Sequence, residues 1–267
     1  MSMILRRLTL WGLLSITFFC QLHAQDNTSY LGSQEQRHWA DSVLNTMTLQ
    51  EKIGQLFMVA AYSNQGSTHQ QQIEDLITRY HIGGLIFFQG DPGTQIELNN
   101  TYQAISKLPL LIGMDLEWGL GMRLDSTISF PKQMTLGAIQ DDTLIYQMGA
   151  EIARQMKMIG VHINFAPVAD INSNPLNPVI GNRSFGEDRD NVSQKSIAYM
   201  RGLQDNGVIA NAKHFPGHGD TGSDSHYTMP VISRNEEGLD SLELYPFRAL
   251  IDEGLMSTMV AHINIPE

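Results

Sequence analysis

Short apolar runs alternate with amphipathic segments along most of this chain, and this alternation constrains the fold more than any other feature. The continuous runs cover residues 82–88, 108–114, 161–168, 208–212 and 257–263, and residues 53–60 suit either a strand or a helix. The segments between the runs have helical periodicity, at residues 68–80, 95–107, 142–159, 191–206 and 236–253. Continuous apolar strands separated by amphipathic helices are typical of a parallel sheet covered by helices. The sequence therefore predicts an α/β fold.

Two of the helical segments carry more specific signals. Thr48 and Glu51 have the spacing of a capping box, which predicts that a helix begins there. The buried face of the helix at 142–159 is predicted from apolar residues that recur every four positions, namely Leu144, Met148, Ile152 and Met156.

Polar and ionisable residues cluster directly after the predicted strands, at 89–91, 115–117, 170, 213–214 and 262. A (β/α)8 barrel of the triosephosphate isomerase type places its active site at the carboxyl ends of its strands. A doubly wound open sheet also binds ligands at strand ends, but no glycine-rich G-x-G-x-x-G fingerprint follows an early strand. We predict the barrel, truncated after about six strands, because the chain ends directly after the sixth run.

The beginning of the chain resembles a targeting signal. Arg6 and Arg7 precede an apolar stretch that ends at Cys20, and a small residue, Ala24, stands at the expected cut. We predict a signal peptide at 1–24, a lead-in segment at 25–47 and the barrel at 48–267. The protein is then exported, to the periplasm or the medium, without stable insertion in a membrane; bulky phenylalanines before Cys20 disfavour a lipid anchor.

Charge and cysteine usage narrow the classes of partner. The formal net charge is -11, and the first 24 residues contribute only positive charges, so the rest of the chain is more acidic still. An acidic chain disfavours nucleic acid as a partner. Cys20 is the single cysteine, so the stability of the exported protein must come from a hydrophobic core.

The stretch "AKHFPGHGDTGSDSHYTMP", residues 212–230, concentrates ionisable groups after an apolar run. A zinc site is chemically possible with His214, His218, Asp220, Asp224 and His226, but their spacing fits none of the common ligand patterns. A solvated glycine-rich loop is the simplest alternative, yet it does not explain charged residues at the mouth of a buried strand. We therefore predict neither a metal nor another cofactor.

Catalysis is the third interpretation of this stretch. Asp224 stands two residues before His226, so its carboxylate could orient the imidazole and make it a proton donor and acceptor near neutral pH. Lys213 and His214 would then serve as fixed donors to a polyhydroxyl substrate.

Three further residues are candidates for binding such a substrate. Asp115 can accept hydrogen bonds from two hydroxyl groups, while Arg123 and Arg183 are rigid donors that stay charged. Helix capping is the alternative explanation of Asp115, and a salt bridge to Glu187 or Asp188, which are close in sequence, is that of Arg183.

The segment from Lys213 to His226 resembles the signature loop of glycoside hydrolase family 3, and in particular its bacterial β-N-acetylglucosaminidase branch. Other motifs agree in order and spacing: "GGLIFF" at 83–88, "LIGMDLEWGLGMRL" at 111–124, "NFAPVADI" at 164–171, "GNRSFGED" at 181–188 and "MVAHI" at 259–263. The similarity extends over most of the chain from about residue 48. The long loop motif is highly specific, whereas "GGLIFF" alone would be weak.

The resemblance implies a retaining glycosidase that removes terminal β-linked N-acetylglucosamine from glycans or muropeptides. It implies His226 as the general acid/base, Asp224 as its partner, and a sugar subsite formed by Asp115, Arg123, Arg183, Lys213 and His214. The family usually has a glutamine and paired glycines where this chain has residues 116–119, and we expect this departure to alter only the rim of the pocket.

A retaining glycosidase also needs a second carboxylate as nucleophile, and the family's aspartate lies beyond the last residue of this chain. We expect that group to be missing here. Three alternatives therefore stay open: an inactive sugar-binding domain, a phosphorolytic variant of the same enzyme, and a metal-dependent hydrolase.

Overall fold

A computed structural model describes residues 33–223 and 229–266. The predicted signal peptide, Cys20, Asp224 and His226 lie outside these ranges. The chain divides into two compact units, residues 1–45 and 46–267. The described part of the first unit, residues 33–45, contains all of the helix α1 (Gln34–Thr46) except its last residue, and α1 has no buried residue.

The second unit is built on six parallel strands that neighbour one another in chain order. They are β1 (Met58–Ala61), β2 (Gly84–Phe87), β3 (Leu111–Met114), β4 (Ile163–Asn164), β5 (Ile209–Phe215) and β6 (Ser257–Val260). Their sequential order confirms the predicted α/β class and the partial barrel, in which each strand is joined to the next through helical segments.

One of the helices of this unit precedes β1, and the others connect successive strands. These helices are α2 (Leu49–Gly54), α3 (Gly66–Tyr80), α4 (Pro92–Ile105), α5 (Gln133–Gly137), α6 (Asp142–Met158), α7 (Arg189–Gln204), α8 (Glu236–Ser241) and α9 (Tyr245–Asp252). None of the helices in the described ranges is long and apolar enough to cross a membrane.

The segment at 53–60, which the sequence left undecided, contains the end of a helix and most of a strand. The capping box is present, because the Thr48 hydroxyl accepts from the Glu51 N–H and the Glu51 carboxylate accepts from the Thr48 N–H. The helix α2 that begins there ends at Gly54, and β1 follows. Gly54 lies so close to the end of α3 that a Cβ would lie 2.0 Å from the Tyr80 carbonyl oxygen.

Two details of the predicted helices are wrong. The predicted helix at 236–253 is two helices, because the chain breaks at 242–244 and Pro246, which lacks an N–H, stands in the first turn of α9. In α6, Leu144 is half exposed and its neighbour Ile145 is buried instead, in line with Met148, Ile152 and Met156. A period of 3.6 residues, rather than 4, shifts the buried face in this way.

The core lies between the sheet and its helices. Within it, the backbones of α6 and α7 approach each other closely. Gly149 of α6 and Gly202 of α7 face each other, and a Cβ on Gly202 would lie 2.3 Å from the Tyr146 carbonyl oxygen. Side chains at these positions would force the helices apart. The two glycines therefore set the separation of α6 and α7, and with it the positions of β4 and β5.

Candidate functional site

Oppositely charged side chains meet at the carboxyl ends of β3 and β5. Asp115 follows the last residue of β3, Glu117 lies two residues further on, and Lys213 is in β5. Lys213 Nζ lies 2.8 Å from Asp115 Oδ1 and 2.8 Å from Glu117 Oε1. One ammonium group on β5 therefore joins two carboxylates of the β3–α5 connection, although β4 lies between the two strands.

Each of these carboxylates also holds an arginine. Arg123 Nη2 donates to Asp115 Oδ2 over 2.7 Å, and Arg183 donates from Nε and Nη2 to both oxygens of Glu117, at 3.0 and 2.6 Å. The helix-capping explanation of Asp115 is thus wrong. The partner of Arg183 is Glu117, 66 positions away, rather than Glu187 or Asp188.

Burial and charge act against each other on these carboxylates. Burial by itself would raise the pKa of Glu117, whose side chain is 1% exposed, but Lys213 and Arg183 hold the pKa well below its usual range. The pKa of Asp115 is lowered too, because Lys213 and Arg123 outweigh the effect of burial. Both groups are therefore ionised at neutral pH, and the cations stay bound to them.

We expected residues 116–119 to alter only the rim of the pocket, and for Glu117 this expectation is wrong. Its side chain is buried at the centre of the ion network, and it is the only carboxylate in the described ranges that pairs with Arg183. Sequence analysis named Glu117 only as a polar residue after a strand. The signal that could have identified it is its spacing of two from Asp115, which lets both reach one lysine.

Asp170 is a second residue whose role sequence analysis missed. It is fully buried and accepts from His214 Nδ1 at 2.7 Å, from the His214 backbone N–H at 3.2 Å and from the His218 backbone N–H at 2.6 Å. Burial would raise the pKa of Asp170, but His214 and these hydrogen bonds lower it. Asp170 thereby fixes the ring of His214, whose Nε2 lies 3.5 Å from Arg183 Nη2.

His218 is buried beside His214, with their ring centroids 5.9 Å apart. Its Nδ1 lies 2.6 Å from the Thr221 hydroxyl, and burial lowers the pKa of the ring, which favours the neutral form. Within residues 33–223 and 229–266, no three His, Cys, Asp or Glu side chains are grouped so that they could hold a metal ion.

A cavity of about 410 Å³ opens over this cluster. Its lining includes all five predicted sugar-subsite residues, and the face of Phe88 lies 4.8 Å from the Arg123 guanidinium. The other lining residues are Glu117, Met122, Val179, His218, Met259, Val260, Ala261 and His262. The structure therefore brings Asp115, Arg123, Arg183, Lys213 and His214 together, as the sequence predicted.

The loop that leads to Asp224 and His226 leaves from this cavity. Asn177 Nδ2 donates to the carbonyl oxygens of His218 and Gly219, at 2.7 and 3.0 Å. Gly219 packs so tightly that a Cβ would lie 1.6 Å from the Ile171 carbonyl oxygen. The loop is thus fixed up to this point, and the predicted dyad follows in a part of the chain outside the described residues.

The chemistry of the cavity suits a neutral, hydroxyl-rich ligand. Asp115, Glu117 and Asp170 face Lys213, Arg123, Arg183 and His214, so negative and positive groups nearly balance. Ionised oxygens accept hydrogen bonds from hydroxyl groups, and guanidinium and ammonium groups donate to them. Such a surface can bind many hydroxyls without attracting a strongly charged molecule.

Comparison with known proteins agrees with this chemistry. The family profile described as "Glycosyl hydrolase family 3 N terminal domain" matches residues 48–267. Beta-hexosaminidase A of Pseudoalteromonas piscicida is 35% identical over an alignment of 216 residues, and the match covers 75% of this chain and 36% of that protein.

Two solved structures have the same fold. A glycoside hydrolase family 3 beta-N-acetylglucosaminidase from Paenibacillus sp. str. FPU-7 is 40% identical, with a TM-score of 0.77 over 83% of this chain and 43% of that one. Beta-glucoside phosphorylase BglX bound to 2FGlc is 28% identical, with a TM-score of 0.83 over 89% of this chain and 42% of that one. This chain thus spans less than half the length of each of these three relatives.

Proposed function

The chain belongs to glycosyl hydrolase family 3, and on that premise we propose that it forms the sugar-recognising part of a glycosidase that removes terminal β-linked N-acetylglucosamine. The observation that carries the proposal is the ion network of Asp115, Lys213 and Arg123 at the base of the cavity. It presents acceptor and donor groups in fixed positions to one sugar ring. The glycan is of the kind found in muropeptides or other N-acetylglucosamine oligomers.

We assign the proton transfer to the predicted dyad. His226 would protonate the leaving oxygen, and Asp224 would orient its ring and stabilise the imidazolium form. The loop position supports this assignment, because the described residues up to Ser223 leave from the wall of the cavity. In the same proposal the protein is exported by the predicted signal at 1–24 and acts outside the cytoplasm.

The ion pairs of the cavity indicate which carboxylates are unsuited to act as the nucleophile. A retaining reaction needs a carboxylate about 5 Å from the acid/base group, free to attack the anomeric carbon. Asp115 is held by Lys213 and Arg123, Glu117 by Arg183 and Lys213, and Asp170 by His214. Each is therefore a poor nucleophile, and we propose that this group comes from outside the described residues.

Binding of the sugar tests the proposal directly. We expect N-acetylglucosamine to bind this chain in a calorimetric or NMR titration. Asp115→Asn should weaken binding by about 10- to 100-fold, because a hydrogen bond to a charged group contributes about 1.5–3 kcal/mol. Asp125→Asn is the matched control, since Asp125 lies two residues after Arg123 but is exposed. Equal affinity of both variants, or no binding by the unaltered chain, would refute the proposed subsite.

Turnover tests the assignment of the nucleophile. We expect the 267-residue chain to release little or no aryl alcohol from an aryl β-N-acetylglucosaminide, although it binds the sugar. Clear release that His226→Ala abolishes would contradict this expectation, and Asp115 or Glu117 would then be the nucleophile.

A phosphorolytic reaction is a second candidate, favoured by the likeness to the beta-glucoside phosphorylase structure. A histidine acid/base also repels an anionic acceptor less than a carboxylate would. Release that rises with added phosphate, and yields a sugar phosphate, would identify this variant. Release that is independent of phosphate would identify hydrolysis.

A further inference from the structure

Residues 220–234 carry the predicted dyad, and we call them the dyad segment. Arg234 joins the two ends of this segment. Its Nε lies 3.2 Å from Asp220 Oδ2, at the beginning of the segment, although the two residues are 14 positions apart. The same Nε lies 2.8 Å from Glu243 Oε1, in the link between α8 and α9. We call these three side chains the Arg234 clamp.

Glu243 is the buried member of the clamp. Its side chain is 3% exposed, and both of its carboxylate oxygens are buried without an aligned hydrogen bond from the described residues. Burial raises the pKa of Glu243, although Arg234 opposes that effect. A carboxylate is rarely buried in this way without a specific partner, because the loss of hydration is costly. Arg234 is the cation that lies against it.

Glu243 also touches the backbone that follows β5. It packs against Gly217, where φ is +133° and a Cβ would lie 2.7 Å from Glu243 Cβ. Gly217 lies three residues after His214 and donates its N–H to the His214 carbonyl oxygen at 2.8 Å. The clamp therefore links the sugar cavity to the beginning of the dyad segment through one buried contact.

Each side of the dyad segment is also anchored by hydrogen bonds that do not involve the clamp. On the entry side, Asn174 Nδ2 donates to the Thr221 carbonyl oxygen at 3.3 Å. On the exit side, Ile232 and Pro230 exchange backbone hydrogen bonds with Asn264, which follows β6, at 3.1 and 2.9 Å. These anchors hold the entry side to the β4–α7 connection and the exit side to the residues after β6. In the described part of the chain, only the clamp joins the two sides by an ion pair.

We propose that Arg234 is a positioning residue that fixes the two ends of the dyad segment relative to the sugar cavity through Asp220 and Glu243. The proposal rests on the proposed function, because it assigns the clamp to the placement of Asp224 and His226. Arg234 itself would touch neither the sugar nor the reacting atoms.

Hydrogen–deuterium exchange of the full 267-residue chain, followed by mass spectrometry, measures the effect of the clamp. Arg234→Gln should accelerate exchange at 221–223 and 229–233 on the order of tenfold, because local opening no longer breaks an ion pair with a buried carboxylate. Arg234→Lys keeps the charge and should restore most of the protection. Arg248→Gln is the control, since Arg248 forms an exposed ion pair with Asp240 nearby and should leave these residues unchanged.

Two outcomes would overturn the proposal: unchanged exchange in Arg234→Gln, or equal acceleration in Arg234→Gln and Arg234→Lys. If Arg234→Gln does not fold, Asp220→Asn serves instead, because it leaves Glu243 paired and should still accelerate exchange at 221–223.

Titration with N-acetylglucosamine separates the two proposals. Affinity should stay within about twofold in Arg234→Gln, as local opening is confined to the segment; absence of binding in the unaltered chain refutes the function and leaves the exchange result standing.

Discussion

Replacement of Lys213 by methionine is expected to lower the free energy of unfolding by about 3–5 kcal/mol, the cost typical of removing one partner from a buried ion pair. Lys213 is 2% exposed and lies between Asp115 and Glu117, so its loss removes the cation that the buried Glu117 and the half-buried Asp115 share. Methionine keeps the volume but not the charge. Urea-induced unfolding of both proteins measures the difference, and binding of N-acetylglucosamine should be lost as well.

Lys107→Met is the matched control for this substitution. Lys107 also pairs with a carboxylate, that of Glu51, but its side chain is 54% exposed. Water and salt screen such a pair, so this variant should unfold close to the unaltered protein. If Lys213→Met were as stable as Lys107→Met, the buried network could not be the feature that holds the base of the cavity together.

Replacement of Asp170 by alanine is expected to lower the free energy of unfolding by about 3 kcal/mol, because buried N–H groups left without an acceptor cost about 1–3 kcal/mol each. The donors that lose their acceptor are the backbone N–H groups of His214 and His218. The ring of His214 would also lose the carboxylate that orients it. Affinity for N-acetylglucosamine should therefore fall together with stability.

Asp170→Asn separates these two effects. Its amide oxygen can still accept from the His218 N–H, so part of the stability should return, while the charge beside His214 is gone. Asp252→Ala, at an exposed position at the end of α9, controls for removal of a carboxylate elsewhere. Unaltered stability and affinity in Asp170→Ala would show that Asp170 does not hold His214 in place.

Most of the fold follows from the period of the apolar residues. Every predicted strand overlaps an observed one, because strands of a parallel sheet covered by helices are apolar at most positions. The ends were less certain: the run at 161–168 yields only the short strand β4, since Pro167 lacks the N–H that a continuous ladder needs. The break between α8 and α9 was missed because the apolar pattern continues across it.

The five residues that line the cavity as predicted could be named from the sequence, but the ion pairs that hold them could not, for a reason that concerns distance along the chain. Asp115, Lys213 and His214 follow strands, so the sequence alone places them at one edge of the sheet. The pairing of Arg183 with Glu117 spans 66 residues, and nearer carboxylates offered a simpler partner. Asp170 was missed because its partners are mainly backbone N–H groups, which leave no mark in a sequence.

The sharing of one lysine by Asp115 and Glu117 also limits how this site can evolve or be redesigned. Since each carboxylate holds an arginine of its own, five side chains form one connected set: Asp115, Glu117, Arg123, Arg183 and Lys213. The effects of substitutions in such a set on the free energy of unfolding do not add, because each substitution changes the charges that act on the other four side chains. Under the proposed function, we expect new ligand specificities to require paired replacements that exchange a cation and a carboxylate together, and we expect libraries that vary one position at a time to recover few folded variants.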